Sequence, residues 1–257
     1  MYDITGSIVT YKISKEDLLK VIKSFFCTNK NVRLYVSDNS PTNELQNFIL
    51  NLNESRIEYV FNNFNGGYGY GHNRIINKIT KVSKYHVILN PDIYFSYNVL
   101  DSLYEYMEEK KEIGNIMPMV KYPDGKIQYL CKRDPRLRDL FLRRFCPFKS
   151  IIEKNNFYYE MKDKDYTRIM EVPLLSGCFM FLRVNELERI KGFDENFFMY
   201  MEDFDLCRRL RKYSKLIYYP KVEIYHNHAR ESHKNFKMTW IHAKSAFKYF
   251  NKYGWLW

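Results

Sequence analysis

The chain has 257 residues, of which 46% are hydrophobic and 28% charged, and a formal net charge of +11 at pH 7. This composition supplies a packed core and excludes a disordered chain. Five widely spaced cysteines without a C-x-x-C pair exclude a zinc module or disulfide framework and favour reduced thiols in a cytoplasmic protein. The first residues carry no charged leader and no segment reaches about 18 uninterrupted apolar residues, so we expect any membrane attachment to be peripheral.

Strand and helix patterns alternate through the first 95 residues. Strands are predicted at Ile4–Tyr11, Asn31–Ser40, Ile57–Phe61 and Tyr85–Leu89, and helices near Lys15–Cys27, Glu44–Leu52 and Asn73–Lys81. This order predicts right-handed parallel crossovers and an open α/β sheet. In such sheets, ligands bind beyond the C-terminal ends of the strands.

Polar residues follow three of these strands, as Thr10–Tyr11, Asp38–Ser40 and Asn90–Asp92. Each group alone is a common turn former. Because the C-terminal ends of parallel strands meet at one edge of a sheet, the three groups together outline a site.

A glycine-rich segment, 62–73, precedes the third predicted helix. Glycines at a helix start let backbone N–H groups approach a phosphate, and a flexible loop is the alternative interpretation. The segment is not a P-loop, because no Gly-Lys-Ser/Thr follows.

The second half of the chain is less regular. Its predicted elements are a helix near Tyr97–Lys110, a strand at Ile116–Val120, a hairpin turn at Tyr122–Lys126, a turn and buried strand within Val172–Arg183, a helix at Glu186–Ile190 capped by Asn185, a helix ending near Tyr213, strands at Leu216–Tyr219 and Val222–His228, and a helix from about Phe236 to Tyr253. Residues 131–167 are charged and poorly periodic, and no regular structure is predicted there.

Five acids lie within the twelve residues 194–205, and three of them, Glu202, Asp203 and Asp205, fall in the run 202–205. Like charges this close raise one another's pKa unless a cation or a helix N-terminus offsets them. The arginines that follow favour a helix start at this run. Proton chemistry is the second interpretation of the cluster.

Two segments carry most of the positive charge. Residues 132–149 hold seven basic and two acidic residues, and residues 229–257 hold six basic residues and one acidic residue, so each contributes +5. Aromatic and apolar residues interleave with these cations, which suits an anionic membrane surface. Nucleic acid or a solvated basic face without a partner are the alternatives.

Taken in order, these motifs resemble the glycosyltransferase family 2 enzymes of GT-A fold, most closely their bacterial rhamnosyltransferase-like members. The matching segments are 9–11, 36–40, 63–73, 89–92, 175–180, 192–210 and 224–228. The resemblance implies an α/β, Rossmann-like mixed central sheet flanked by helices, with a C-terminal amphipathic helical extension. It also implies a nucleotide-sugar-binding half (1–95), an acceptor-binding and catalytic half (96–230) and a basic aromatic helix (231–257).

The resemblance further implies a divalent metal site for Mn²⁺ or Mg²⁺. Asp92 matches the metal-binding acid of the family's Asp-x-Asp motif, while Asn90 replaces the first acid. His226 or His228 is expected to complete the site, with His226 favoured. Hard carboxylate oxygens suit these cations.

By the same resemblance, Asp203 is the expected general base, Glu202 orients the base or the acceptor, and Asp205 caps the helix. Asp38 is expected to read the nucleoside, and Thr10 and Tyr11 to form the pocket under the base. The remaining residues expected to line the donor are Asn63, Gly67, Tyr68, Gly71, Asn73, Asn90 and Gly177.

The expected reaction is inverting transfer of a sugar from a nucleoside diphosphate to a growing bacterial surface glycan such as O-antigen, capsule or cell-wall polysaccharide, free or lipid-linked. L-rhamnose from dTDP-rhamnose is the first expectation and a UDP-sugar the second. A non-catalytic basic protein that binds nucleic acid or anionic lipid is the main alternative. The acid cluster and Asp92 argue against it, because anions repel phosphate unless a metal intervenes. Nucleotidyl transfer ranks third, since no basic phosphate-binding signature lies near the N-terminus.

Overall fold

The computed structural model describes residues 1–227 and 236–255. The strands of this part are β1 (Tyr2–Thr10), β2 (Val32–Asp38), β3 (Ile57–Phe61), β4 (Ser83–Leu89), β5 (Ile93–Tyr94), β6 (Ile113–Lys121), β7 (Met170–Glu171), β8 (Phe179–Arg183) and β9 (Lys215–His226). The helices are α1 (Lys15–Phe25), α2 (Leu45–Leu50), α3 (Tyr68–Ile79), α4 (Val99–Glu109), α5 (Leu137–Phe145), α6 (Lys149–Tyr159), α7 (Val184–Arg189), α8 (Glu202–Leu210) and α9 (Phe236–Tyr253).

All the strands belong to one mixed sheet, in the order β3-β2-β1-β4-β8-β6-β9-β5, with β7 paired to β9. The pairs β3–β2, β2–β1, β1–β4 and β6–β9 are parallel, whereas β8 runs antiparallel to both β4 and β6. The C-terminal ends of β1, β2, β4 and β9 therefore share one edge with the start of β8. That edge carries the polar residues of the predicted site.

Helices cover both faces of the sheet, as neighbouring residues on the central strands show. Successive side chains of a strand point to opposite faces. Tyr85 stacks edge-on against Tyr104 of α4, while its neighbour His86 hydrogen-bonds to Ser7 at 2.8 Å, and Ser7 also hydrogen-bonds to His72 of α3 at 2.7 Å. Helices α3 and α4 thus lie on opposite faces of the sheet.

Gly6 on β1 shows how closely α1 approaches the face covered by α4. A Cβ atom at Gly6 would lie 2.5 Å from the ring of Phe25 on α1. Only glycine lets the buried Phe25 ring lie flat on the strand at this point.

Residues 131–167 differ from the sequence expectation, because they contain the two helices α5 and α6. The Asp139 carboxylate accepts a hydrogen bond from the backbone N–H of Arg136 at 2.8 Å and so stabilises the start of α5. Arg133 forms a bidentate ion pair with Asp163, at 2.7 and 2.8 Å, that joins the two ends of the segment. Helices stabilised by such contacts between distant residues show little hydrophobic periodicity in the sequence.

Two predicted helix starts were also wrong. Helix α3 begins at Tyr68, five residues before the predicted start, because Gly67 with φ +96° forms its N-cap. Helix α7 begins at Val184, with Arg183 as its N-cap, so Asn185 lies inside the first turn and does not cap it.

The predicted α9 and the Tyr122–Lys126 turn are confirmed. The turn is closed by a hydrogen bond from the Tyr122 N–H to the Lys126 carbonyl at 2.8 Å. Of the helices described, none has the length and apolar character that crossing a bilayer requires. His228, Arg230 and Lys234 lie outside the described residues.

Candidate active site

Four segments meet at the polar edge of the sheet. Asp92 follows β4, His226 ends β9, Gly177 precedes β8, and Glu202 begins α8. The structure therefore brings together Asp92 and His226, two of the predicted metal ligands, with the residues predicted as catalytic.

Asp92 and His226 form the first half of the site. The His226 Nε2 atom lies 3.3 Å from the Asp92 Oδ1 atom, and the Asn90 side-chain amide lies 3.5 Å from the same nitrogen. The Asp92 carbonyl accepts the backbone N–H of Asn227 at 3.0 Å, which joins the β4 end to the β9 end.

Gln128 fixes the proton on the His226 ring. The Gln128 Nε2 atom donates to the His226 carbonyl at 2.8 Å, so the amide oxygen of Gln128 must face the ring Nδ1 atom, 3.1 Å away. A neutral His226 then carries its proton on Nδ1 and directs the Nε2 lone pair towards Asp92.

This pair suits a divalent cation. The His226 Nε2 atom and the Asp92 Oδ1 atom face each other at 3.3 Å, and imidazole nitrogen and carboxylate oxygen are both ligand types for divalent metals. Adjacent ligands of an octahedral Mg²⁺ lie about 3 Å apart, close to this separation. Within residues 1–227 and 236–255 no group of three or more His, Cys, Asp or Glu residues could hold a metal. Further ligands would have to come from the substrate, water, backbone or residues outside these ranges.

Gly177 and Cys178 connect this pair to the second half of the site. The Cys178 carbonyl accepts the backbone N–H of Asn90 at 2.8 Å, and the Gly177 N–H donates to the Asp203 carboxylate at 2.9 Å. Burial first, and then the negative charges of Asp92 and Asp203, raise the pKa of the Cys178 thiol to about 12. Both acids therefore act on the same short segment.

Glu202 and Asp203 form the second half. Glu202 is 6% exposed, and its Oε2 atom is buried with no hydrogen-bond partner within the described residues. Burial, reinforced by the charge of Asp203, raises the pKa of Glu202 well above its usual value. Burial also raises the pKa of Asp203, although the N–H groups of Gly177 and Phe204 offset part of this rise. The pair thus retains a proton to a higher pH than ordinary carboxyl groups do.

Tyr68 closes the site from the side of α3. Its hydroxyl donates to the Gly177 carbonyl at 2.6 Å. Burial and then the charges around it, with Glu202 first, raise the pKa of Tyr68 well above its usual value, so the phenol stays protonated. Gly67 makes this position possible, because a Cβ there would lie 2.0 Å from the Phe198 carbonyl oxygen.

The residues predicted for the nucleoside lie at the ends of β1 and β2. Asp38 is fully buried; it accepts hydrogen bonds from Thr10 at 3.0 Å, from the Tyr59 hydroxyl at 2.7 Å and from the Ser40 N–H at 2.9 Å. Tyr11 beside them is 51% exposed, which leaves its ring available to a ligand. Asp38 is thus held rigidly by its neighbours at the edge of the sheet.

Three residues predicted for the glycine-rich wall have different surroundings. Asn63 is exposed with φ +49°. Gly71 packs against Val9, from which a Cβ would lie 2.7 Å. The Asn73 amide exchanges hydrogen bonds of 2.9 Å with the backbone of Phe193. Asn73 therefore positions the loop that leads to the acid pair, and donor contact by these three residues stays a prediction.

The prediction that Asp205 caps α8 was wrong. The N-cap is Met201, without a side-chain hydrogen bond, and Asp205 lies in the first turn, fully buried. Its carboxylate pairs with Arg209 at 2.7 Å and with Lys252 of α9 at 2.6 Å. Asp205 thus connects two helices and leaves the helix start to its neighbours.

Sequence reasoning missed Gln128 and Tyr59, which orient His226 and Asp38. Neither lies in a recognisable motif, and each reaches its partner across the sheet edge. Only the pairing of β2 with β3 could have pointed to Tyr59, since it places residues 36–38 beside 59–61.

Solved structures show the class of this fold. GalNAc-T7, crystallised with UDP, GalNAc and Mn²⁺, matches with a TM-score of 0.64 at 14% identity over 88% of this chain, which spans 43% of the GalNAc-T7 chain. TarS of S. aureus (residues 1–349) matches with a TM-score of 0.60 at 14% identity, over 97% of this chain and 72% of the other. The mixed sheet flanked by helices is the GT-A fold of glycosyltransferases.

Sequence comparison gives the family. The model of glycosyl transferase family 2 matches residues 7–190, more than half of the chain. The chain therefore belongs to glycosyl transferase family 2 and is a glycosyltransferase, as the motifs predicted. This membership gives no support to the non-catalytic alternative.

Two curated relatives are rhamnosyltransferases. Rhamnosyltransferase WbbL of Escherichia coli (strain K12) is 26% identical over 94% of this chain and 91% of its own length. The N-acetylglucosaminyl-diphospho-decaprenol L-rhamnosyltransferase of Mycobacterium tuberculosis is 28% identical over 65% of this chain, which spans 58% of that protein. The rhamnosyltransferase-like assignment within the family is thereby confirmed.

Proposed function

We propose that this enzyme transfers L-rhamnose from a nucleoside diphosphate to a growing bacterial surface glycan, with inversion at the anomeric carbon. The observation that carries the proposal is the attachment of Asp203 and Asn90 to the adjacent residues Gly177 and Cys178. This connection supports the proposal because it joins the region of Asp203, the proposed base, to the region of Asp92, the proposed cation-binding acid. The rhamnosyl donor is supported by the activity in the names of both relatives.

The donor would bind along residues 1–95. Asp38, fixed by Thr10 and Tyr59, would accept a base N–H, and the exposed ring of Tyr11 would stack on the base. Gly67 and Tyr68 at the start of α3 would border the sugar diphosphate. dTDP-rhamnose is the proposed donor, with a UDP-sugar as the second candidate.

Asp92 and His226 would hold a divalent cation, Mn²⁺ or Mg²⁺, with Asn90 beside them. A cation held by these residues would supply charge neutralisation for the leaving diphosphate. Mn²⁺ in the GalNAc-T7 structure supports metal use in this fold. His228, the other predicted ligand, lies outside the described residues.

Asp203 would remove the proton from the acceptor hydroxyl. The acceptor oxygen then attacks the anomeric carbon from the face opposite the diphosphate; a new C–O bond forms while the bond to the diphosphate oxygen breaks. The proton ends on Asp203, and no covalent enzyme intermediate is needed. Glu202, whose pKa is raised by burial, would keep its proton and orient the acceptor.

A lipid-linked glycan is the proposed acceptor, in line with the diphospho-decaprenol in the name of the mycobacterial relative. Residues 96–230 would bind it, because they contain Gly177 and the acid pair. The proposed location is the inner face of the cell membrane, where the nucleotide donor and the lipid acceptor meet.

A thermal-shift panel of dTDP, UDP and GDP, each with and without Mn²⁺, tests the donor. A ligand that binds only the native state stabilises it, and the stabilisation grows with the ratio of ligand concentration to Kd. The melting temperature therefore rises most for the nucleotide that binds most tightly. We expect dTDP with Mn²⁺ to give the largest shift. A larger shift with UDP would reassign the donor, and no shift with any nucleotide would contradict the proposed donor site.

A further inference from the structure

Helix α9 has an inner face that packs on the catalytic helix. Tyr249 and Phe250 are buried against Phe197 and Met201, in the segment directly before Glu202. The Ser245 hydroxyl donates to the Met199 carbonyl at 2.8 Å. The inner face is thus part of the protein core.

Charged groups anchor the same face. Asp205 accepts hydrogen bonds from the Tyr253 hydroxyl at 2.7 Å and from Lys252 at 2.6 Å, and Lys252 also pairs with Asp194 at 2.6 Å. Because Asp205 is fully buried, these contacts are stronger than surface ion pairs. Helix α9 is therefore held in a fixed orientation relative to the active site.

The opposite face of α9 is aromatic and exposed. Trp240 is 58% exposed, Phe247 57% and Trp255, just after the helix, 49%. Residues seven apart in a helix lie on the same face, and Lys237, Lys244 and Asn251 share this stripe by the same spacing. The Phe247 and Trp255 rings lie 5.4 Å apart, and the Lys244 ammonium lies 5.5 Å from the Trp240 ring centroid. We call this stripe the outer face of α9.

We propose that the outer face of α9 docks on an anionic lipid bilayer, with the aromatic rings at the headgroup level and the lysines on lipid phosphates. Residues 236–253 contain four lysines and no acidic residue. Indole rings beside lysines on a helix whose other side is polar or protein-bound are typical of helices that lie in the membrane interface.

The charge pattern favours lipid over a second copy of this chain. Two copies joined through this stripe would bring lysines together with no acid on either helix to pair with them. Anionic headgroups supply the missing negative charge. Since the inner face touches the segment before Glu202, docking would hold the acceptor half of the enzyme at the bilayer.

Vesicle sedimentation tests the docking with the whole chain. Phosphatidylcholine vesicles with and without about one third phosphatidylglycerol would be compared at low and high salt. The wild-type protein should bind the anionic vesicles and detach as salt rises, because headgroup attraction is screened. Equal binding to both vesicle types, or none to either, would overturn the proposal.

The triple variant Trp240→Ser/Phe247→Ser/Trp255→Ser should bind anionic vesicles at least about ten-fold more weakly. A matched control, Leu50→Ser/Tyr97→Ser/Tyr213→Ser, removes three similarly exposed side chains from other surfaces and should bind like wild type. Equal losses in both variants would refute a role for α9.

Charge can be tested separately with Lys237→Gln/Lys244→Gln, which should weaken binding roughly five-fold for each lysine. Light scattering without lipid distinguishes self-association. If the wild-type protein is a dimer and the aromatic triple variant is a monomer, the outer face of α9 binds a second copy of the chain, which would overturn the docking on lipid.

The docking deepens the proposed function, since it rests on that function for the lipid-linked acceptor but not for lipid binding. The nucleotide thermal shift should persist in the aromatic triple variant, which also shows that the variant folds. Lipid binding without any nucleotide shift would contradict the proposed donor site and leave the docking intact. A nucleotide shift without lipid binding would support the proposed donor site and overturn the docking.

Discussion

The two halves of the active site use the same kind of side chain in opposite surroundings. The Asp92 side chain is 27% exposed and faces an imidazole nitrogen at 3.3 Å. Glu202 is buried, with one carboxylate oxygen unpartnered within the described residues, beside a second acid. An accessible carboxylate beside a nitrogen lone pair attracts a cation, whereas a buried acid pair holds a proton.

This difference shows how one sheet edge can divide its chemistry between an acid–imidazole pair and an acid pair. The separation depends on the short segment Gly177–Cys178, which hydrogen-bonds to one acid-bearing region on each side. Altering each half in turn should therefore produce distinct defects.

The largest effect is expected from Asp203→Asn. The amide cannot accept the acceptor proton, so kcat should fall on the order of 10³-fold. Steady-state kinetics with dTDP-rhamnose measures the fall, and an unchanged thermal shift with dTDP serves as the control. Near-normal turnover in this variant would assign the base elsewhere.

Gln128→Leu should damage the cation half alone. Loss of the amide oxygen frees the His226 ring, and groups that orient metal ligands typically contribute about 10–100-fold to metal affinity. Calorimetric titration with Mn²⁺ measures the affinity. The metal-free shift with dTDP and the melting temperature show whether the variant remains folded, and unaltered Mn²⁺ affinity would separate Gln128 from the cation site.

Asn90→Asp should strengthen the same half. A carboxylate at the position of the amide, 3.5 Å from His226 Nε2, adds a charged oxygen ligand. We expect Mn²⁺ affinity to rise roughly ten-fold, because affinity at such sites follows ligand charge. The matched variant Asn62→Asp, which adds the same charge outside the cation half, should leave Mn²⁺ affinity unchanged. A rise in both variants would show a general charge effect and contradict the assignment.

The smallest effect concerns stability and pH. Burial raises the pKa of Glu202 in the folded state above its unfolded value of 4.5, so the folded protein binds this proton more tightly. That contribution is complete below pH 4.5 and is lost as the pH rises through the folded pKa. Glu202→Gln should therefore melt at a temperature that increasingly exceeds that of wild type as the pH is raised from 4.5 to 8. A constant difference across this range would show that Glu202 does not hold its proton.

The sequence predicted much of the strand edge correctly. Thr10, Asp38 and Asp92 were found because each follows an apolar strand, and parallel strand order alone brings such ends together. The α9 bounds, Phe236–Tyr253, were also predicted correctly.

Features that depend on distant contacts were not predictable. Gln128 meets His226 across 98 positions, and α3 starts early because Gly67 accommodates the Phe198 carbonyl. Asp205 resembles a helix cap in sequence, yet its partners are Arg209 and two residues of α9. The spacing of residues along the sequence does not indicate such contacts.

The contact between Asp205 and Tyr253 also bears on the order in which the site is made. The two residues are 48 positions apart, and the carboxylate is fully buried only when α9 covers it. During synthesis β1–β4 emerge first and can pair with one another before α9 is made. Asp205 can pair with Arg209 early, but it gains Lys252 and Tyr253 only when α9 has been translated. The segment that carries Glu202 and Asp203 therefore reaches its final packing only after α9 has been made.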